Sequence, residues 1–313
     1  MSNLIFISGD FSSGSTLLFT LFRKTGEYYC LYEPLHEKLL EYLIWPLQVD
    51  EHHFFVENYF TEFKGFRKIP ELFNPEWGTQ NLYLPPTARE DELYRYLSYL
   101  IGTAFGRSSK VLLKENRITF RLGWIRANFP YAKIIHIYRD KQAQWNSVVR
   151  RVQAHLGRED VGQGEVTFEG FRMASWCEDL KSIFPQLDAK HFKTGYERFC
   201  KLWELSYAEN QRYADISIDY WALTHDFEVT FERIRNCIGG NFDIPSLKQF
   251  VIPPEKQKPL ERHPSGIRRR IQNLLEEIGR KYSKTVLLTR SLLQGRNNLV
   301  KNLLNSRSRQ KSR

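Results

Sequence analysis

From Gly9 to Thr16 the chain reads Gly-Asp-Phe-Ser-Ser-Gly-Ser-Thr, the G-x-x-x-x-G-x-[ST] frame of a phosphate-binding loop. Glycines let backbone N–H groups turn inward, and a helix starting at the second glycine adds partial positive charge toward an anion. The hydroxyls of Ser12, Ser13, Ser15 and Thr16 add further donors; an ordinary Gly/Ser turn capping a helix would carry the same letters. Ser15 stands where an ATP-type loop has its lysine, so the cation for the β- and γ-phosphates is missing. That points away from triphosphate chemistry, toward a ligand with one phosphate or phosphosulfate group at this place. A second candidate pair is Arg139 and Ser147, eight residues apart and so about two helical turns. A planar guanidinium and a short hydroxyl facing one site suit a phosphate; the alternative is an Arg139–Asp140 ion pair. Trp203 and Tyr207, four apart, could stack on a base or simply pack in a core.

These residues need a scaffold, and the hydrophobic pattern supplies one. Leu4–Ser8, Tyr28–Tyr32, Val111–Leu113, Ala132–Tyr138 and Ile216–Tyr220 read as short apolar strands. Helical stripes run from Ser15 to Gly26, Phe120 to Phe129, Lys141 to His155, Phe192 to Arg212 and Phe227 to Ile238. Strands alternating with helices predict an α/β fold: a parallel sheet of about five strands, flanked by helices. Residues 39–107, aromatic and broken by Pro70, Pro75, Pro85 and Pro86, read as an inserted helical and loop cap facing a substrate. Ligands of such sheets sit at the carboxyl ends of the strands, which singles out Gly9–Thr16, Glu33, Lys114 and Arg139. His136, inside an apolar strand, reads as a hydrogen-bonded core histidine. Cys30, Cys177, Cys200 and Cys237 have neither CxxC pairing nor metal-ligand spacing, and no metal site is expected.

Three stretches together resemble the sulfotransferases that use 3′-phosphoadenosine 5′-phosphosulfate (PAPS), especially their carbohydrate-type and bacterial branch. Phe6-Ile7-Ser8-Gly9 through Ser13-Gly14-Ser15-Thr16-Leu17-Leu18 is similar to the family's 5′-phosphosulfate loop. Tyr32-Glu33-Pro34-Leu35-His36 is close to its FEPLW segment. Lys114-Glu115-Asn116-Arg117, Lys133 through Asp140 and Ser147 are similar to the strand and helix holding the 3′-phosphate. The resemblance runs discontinuously from about residue 3 to 240. It implies a P-loop-containing sulfotransferase-like fold, PAPS as co-substrate, Ser12 to Thr16 on the phosphosulfate, and Arg139 with Ser147 on the 3′-phosphate. It also implies that Glu33 deprotonates the hydroxyl or amine of an acceptor, with His36 as the second candidate base. Where the family carries Lys or Arg, this loop has Ser12; Lys114 or Arg117, at the next strand's end, is a candidate to supply that charge. The rival readings are a non-catalytic nucleotide- or polyanion-binding protein on the same fold and a P-loop small-molecule kinase.

The 313 residues carry a net charge of +10, but 14 Lys and Arg against two Glu lie in 262–313, so residues 1–261 are close to neutral. A basic nucleic-acid-binding body is therefore not expected. The expected organisation is one domain over 1–261 and a basic helical extension over 262–313 with a disordered end. Its leucines, such as Leu287, Leu288, Leu292 and Leu293, suggest an amphipathic contact with a membrane surface or an acidic partner. With 42% hydrophobic residues, no stretch long enough to span a membrane and no secretory leader, a cytoplasmic globular protein is expected, acting on a small-molecule, carbohydrate or lipid acceptor.

Overall fold

Strands buried on both faces need continuous apolar runs, and those runs make the five strands of the sheet. They are β1 (Leu4–Ser8), β2 (Tyr29–Tyr32), β3 (Val111–Glu115), β4 (Lys133–Tyr138) and β5 (Ile216–Asp219). A computed structural model describes residues 3–44, 58–156 and 164–251, so the basic segment 262–313 lies outside the described residues. All pairings are parallel, in the order β2-β3-β1-β4-β5. The register sets Ser8 beside Glu115 and His136, Tyr32 beside Lys114, and Tyr138 beside Asp219. Carboxyl ends therefore line up along one edge. From β1 the chain leaves toward β2, and from β4 toward β5, so the β1–β4 boundary is a switch point where a crevice opens.

Helix α1 (Ser15–Thr25) covers the sheet with Leu18, Phe19, Leu21 and Phe22, all fully buried. Between β2 and β3 run α2 (Leu39–Ile44), α3 (Ile69–Leu72) and α4 (Asp91–Phe105). The insertion contributes a layer of the main core: α4 buries Leu93, Tyr96, Leu97 and Leu100, and Tyr59 and Trp77 join the same cluster. Trp45, Phe54 and Phe55 lie outside the described residues. Arg121, 1% exposed, ties the insertion down by donating to the carbonyls of Trp77, Gln80 and Asn81.

After β3 a 3-10 turn over Asn116–Arg121 leads into α5 (Leu122–Asn128), so the helix expected from Phe120 is shorter and preceded by a tighter turn. The cause is Glu115, whose carboxylate accepts from Arg117 N at 3.0 Å and caps the turn at once. A second core joins α6 (Lys141–Leu156), α7 (Met173–Leu180) and α8 (Gly195–Tyr213) through Trp145, Val148, Trp176 and Phe199. Then α9 (Tyr220–His225), α10 (Phe227–Ile238) and α11 (Ile244–Lys248) complete the described residues. β5 stops one residue before Tyr220 because Asp219 caps α9, accepting from Trp221 N at 3.0 Å. No helix among the described residues is long and apolar enough to cross a membrane.

The Gly9–Gly14 loop is pinned from two sides. Gln144 on α6 donates to Phe11 O at 2.8 Å. The Asp10 carboxylate accepts from Ser206 on α8 at 2.5 Å and from Thr119 at 3.4 Å. Burial pushes the Asp10 carboxyl up to about 6, the two hydroxyls offsetting only part of that rise. An acid whose folded pKa is raised binds more protons folded than unfolded between pH 4 and 6, so its contribution to stability is lost as pH rises across that window. Asp10→Asn is therefore expected to gain on the wild type by up to about 3 kcal/mol between pH 4 and pH 7.5. Denaturant unfolding at the two pH values checks this; an unchanged difference between the two proteins would refute it.

Candidate active site

At the mouth of the β1–α1 turn the backbone is left-handed at Ser12 (φ 63°) and at Gly14 (φ 98°), which turns successive N–H groups the same way. Gly14 is the N-cap of α1; no side chain caps that end and no acidic residue occupies its first turn. Only glycine fits there, since a Cβ would lie 2.1 Å from the Tyr220 ring. The loop's hydroxyls divide into two pairs. Ser15 Oγ donates to Asn116 Oδ1 at 3.1 Å, and Thr16 Oγ1 bonds Tyr32 OH at 3.1 Å, so both are engaged within the protein. The buried hydroxyls of Ser12 and Ser13 have no partner among the described residues. Buried unpaired donors are costly, and two beside an uncapped helix terminus match an anion's needs.

Glu33 follows β2 and has φ 41°, unusual for a residue with a side chain and suited to aiming it across the strand ends. Its amide donates to Lys114 O at 2.7 Å, extending the β2–β3 ladder by one rung. Its carboxylate meets Lys114 Nζ and Asn116 Nδ2 (3.2 Å) on Oε1, and Arg117 Nη1 (2.9 Å) on Oε2. Arg117 also reaches Glu37 at 2.7 Å and Glu115 at 3.4 Å, and Arg172 joins Glu37 at 3.5 Å. Glu33, Lys114, Glu115 and Arg117 are each 5% exposed or less. Burial alone would raise the Glu33 carboxyl, but Lys114 and Arg117 outweigh it and hold the group well below the usual carboxylate range. Glu115 is pushed up by burial, which the charge of Arg117 offsets only in part. Burial lowers Lys114, with Glu33 opposing.

His36 lies beside this cluster. Burial, reinforced by Arg117, lowers its pKa to about 4, so the ring is neutral at pH 7. Its Nδ1 accepts from Lys38 N at 3.1 Å, which places the ring proton on Nε2 and occupies the free lone pair. That arrangement favours Glu33 over His36 as a proton acceptor.

Arg139 leaves β4 and lays its guanidinium 4.8 Å from the centre of the Tyr220 ring, the same ring that packs on Gly14. It is thus brought beside the loop, and no ion pair with Asp140 forms. Burial lowers its pKa, with Arg150 and Arg151 close enough to add to the effect. Ser147 sits half-buried on α6. Trp203 and Tyr207 stack on each other, centroids 5.0 Å apart, and Trp203 Nε1 donates to Arg139 O at 3.1 Å. Both line a small polar cavity beside the loop, with Asp10, Ser13, Gln144 and Ser206. His136 is buried on Ser217 Oγ at 3.1 Å, as expected of a core histidine.

Sequence reasoning gave Asn116, Glu115, Glu37 and Tyr220 no role of their own. The nearest signal was the polar run Lys114-Glu115-Asn116-Arg117 directly after an apolar strand, since a surface turn would not need four hydrogen-bonding side chains in succession.

No curated protein matches the chain with significance. Among solved structures, the sulfotransferase domain from the Synechococcus PCC 7002 olefin synthase is similar over 88% of this chain and 94% of that one, at 15% identity and a TM-score of 0.33. The sequence model of the sulfotransferase family matches residues 4–243, a span that contains the loop, Glu33, the Lys114–Arg117 turn and Arg139. On that match the chain belongs to the sulfotransferase family.

Proposed function

We propose that the protein moves a sulfuryl group from PAPS to a hydroxyl or amine of a small-molecule, carbohydrate or lipid acceptor. The observation that carries this reading is the convergence at one strand edge of the buried Glu33 carboxylate, Lys114 and Arg117 with a loop whose Ser12 and Ser13 hydroxyls lack partners among the described residues. The residues fit both charged ends of the donor. Loop amides and the unpaired hydroxyls of Ser12 and Ser13 suit the phosphosulfate, and Arg139, without a carboxylate partner among the described residues, suits the 3′-phosphate with Ser147.

When bound, PAPS supplies an activated sulfuryl group and leaves as adenosine 3′,5′-bisphosphate. Glu33, ionised, can take the acceptor's proton on a carboxylate oxygen. Proton uptake neutralises Glu33 and releases the charge of Lys114, which no longer has a full anion to face. Arg117 lies 5.4 Å from the centre of the Phe11 ring in the loop, where Ser12 replaces the cation common in the family, so on this reading Arg117 with Lys114 would supply the charge that the loop lacks. Most of the rate enhancement would come from positioning and from these fixed charges.

The non-catalytic nucleotide-binding reading is favoured by one observation, the firm ion-pairing of Glu33, because a carboxylate with so low a proton affinity is a weak base. Calorimetry with adenosine 3′,5′-bisphosphate separates the possibilities. The wild type is expected to bind and Arg139→Ala to lose ~10-fold or more in affinity, since a charged hydrogen bond to phosphate is removed; a wild type that does not bind overturns the proposal. Glu33→Gln is expected to keep nucleotide affinity and lose ~10²–10⁴ in turnover, measured with labelled donor against an acceptor panel. Equal turnover in both proteins would reject Glu33 as the base, and binding without turnover in either would favour the non-catalytic reading. Turnover indifferent to chelation of Mg²⁺ is expected, whereas a small-molecule kinase on this loop would require the ion.

A further inference from the structure

Asn116 stands between the two halves of the site. Its buried side chain donates from Nδ2 to Glu33 Oε1 at 3.2 Å and accepts on Oδ1 from Ser15 Oγ at 3.1 Å. An ionised carboxylate can only accept, so Glu33 fixes which way the amide points, and the amide oxygen in turn obliges Ser15 to donate. The chain of hydrogen bonds Ser15 to Asn116 to Glu33 has one direction. Ser15's single proton is thereby committed inside the protein, and this residue serves a loop anion through its backbone N–H rather than its hydroxyl.

The wider setting gives Asn116 a rigid seat. It opens the 3-10 turn after β3, where Glu115 accepts from both Arg117 N (3.0 Å) and Leu35 N (2.6 Å). The loop follows β1 and Glu33 follows β2, strands that do not pair with each other; β3 lies between them. A side chain at the end of β3 is thus the natural point from which to set their separation. Lys114 and Arg117 also hydrogen-bond Glu33, but the Asn116 amide ties that carboxylate directly to Ser15 of the loop.

We infer that Asn116 is a positioning residue for the transfer, holding the Glu33 carboxylate at a fixed distance and angle from the anion-binding loop. This rests on the transferase reading above. The effect of Asn116 passes through its contacts with Glu33 and Ser15.

The test uses the full chain as wild type, Asn116→Asp, Asn116→Ala, Ser15→Ala and the double variant Ser15→Ala/Asn116→Ala. Affinity for adenosine 3′,5′-bisphosphate is measured by calorimetry, and turnover as its release from PAPS with water or 4-nitrophenol as acceptor. Asn116→Asp keeps the side-chain volume but replaces the amide N–H donor to Glu33 by a carboxyl, which separates positioning from packing. Both Asn116 variants are expected to bind the nucleotide within about 3-fold of wild type and to lose at least about 10-fold in kcat, with KM for PAPS little changed. The double variant is expected to be no slower than Asn116→Ala, because without the amide the Ser15 hydroxyl has nothing to relay. Undiminished kcat in Asn116→Asp, a loss fully accounted for by nucleotide affinity, or multiplicative losses in the double variant would each overturn the inference. A wild type that fails to bind the nucleotide, or binds it and transfers neither to these acceptors nor to any member of the acceptor panel, removes the transferase reading and this inference together. A working wild type with an unaffected Asn116→Asp removes the inference alone.

Discussion

The Glu33 carboxylate, enclosed with Lys114 and Arg117, is the interaction around which the strand edge is organised. Taking charges out of water is costly, and it is recovered only when geometry is good and every remaining donor and acceptor is used. This accounts for the density of hydrogen bonds nearby. Arg117 is shared with Glu37 and Glu115, Asn116 completes Glu33, and Glu115 is occupied by the amides of Arg117 and Leu35. Removing any member strands a buried charge, so the cluster is expected to behave as a unit rather than as separable pairs.

The sheet makes such a cluster possible. With β3 between β1 and β2 in parallel register, residues immediately after three strands converge within side-chain reach of one another. The loop takes its shape from the same edge: its second glycine fits beneath Tyr220, its carbonyl is held by Gln144, and Asp10 docks on Ser206. The residues around the loop therefore come from elements that have little freedom of their own. Pre-organisation of this kind lets modest groups, two serines and an asparagine among them, contribute to orientation.

Arg121 illustrates a different use of buried charge. It has no carboxylate partner at salt-bridge distance among the described residues and instead gathers backbone carbonyls from Trp77 to Asn81, closing the inserted segment over the turn that carries Asn116 and Arg117. Burial lowers its pKa to about 10, still far above neutrality, so it remains a cation at work. The aromatic content of the insertion goes largely into this packing, as Tyr59 and Trp77 show, and so it says less about the acceptor than its composition suggests.

The five strands, the loop and the edge formed by the strands' carboxyl ends were legible from the sequence, because buried parallel strands and Gly/Ser turns write themselves in local patterns. Helix α7 was not, since eight residues packed into a second core carry too few turns for a stripe to stand out. Glu33, Lys114 and Arg139 could be placed at the strand ends from the sequence, because each ends or follows an apolar run. What the chain alone could not settle was whom each group meets. Whether Ser15 or Ser13 keeps a free hydroxyl, whether Arg139 pairs with Asp140 or lies over Tyr220, and whether Asn116 is a surface turn residue or a buried bridge depend on contacts between segments up to about a hundred residues apart. Local sequence determines which groups stand at the edge; only the packing of distant segments decides which charges and protons they share, because desolvation and hydrogen-bond direction are properties of the assembled neighbourhood.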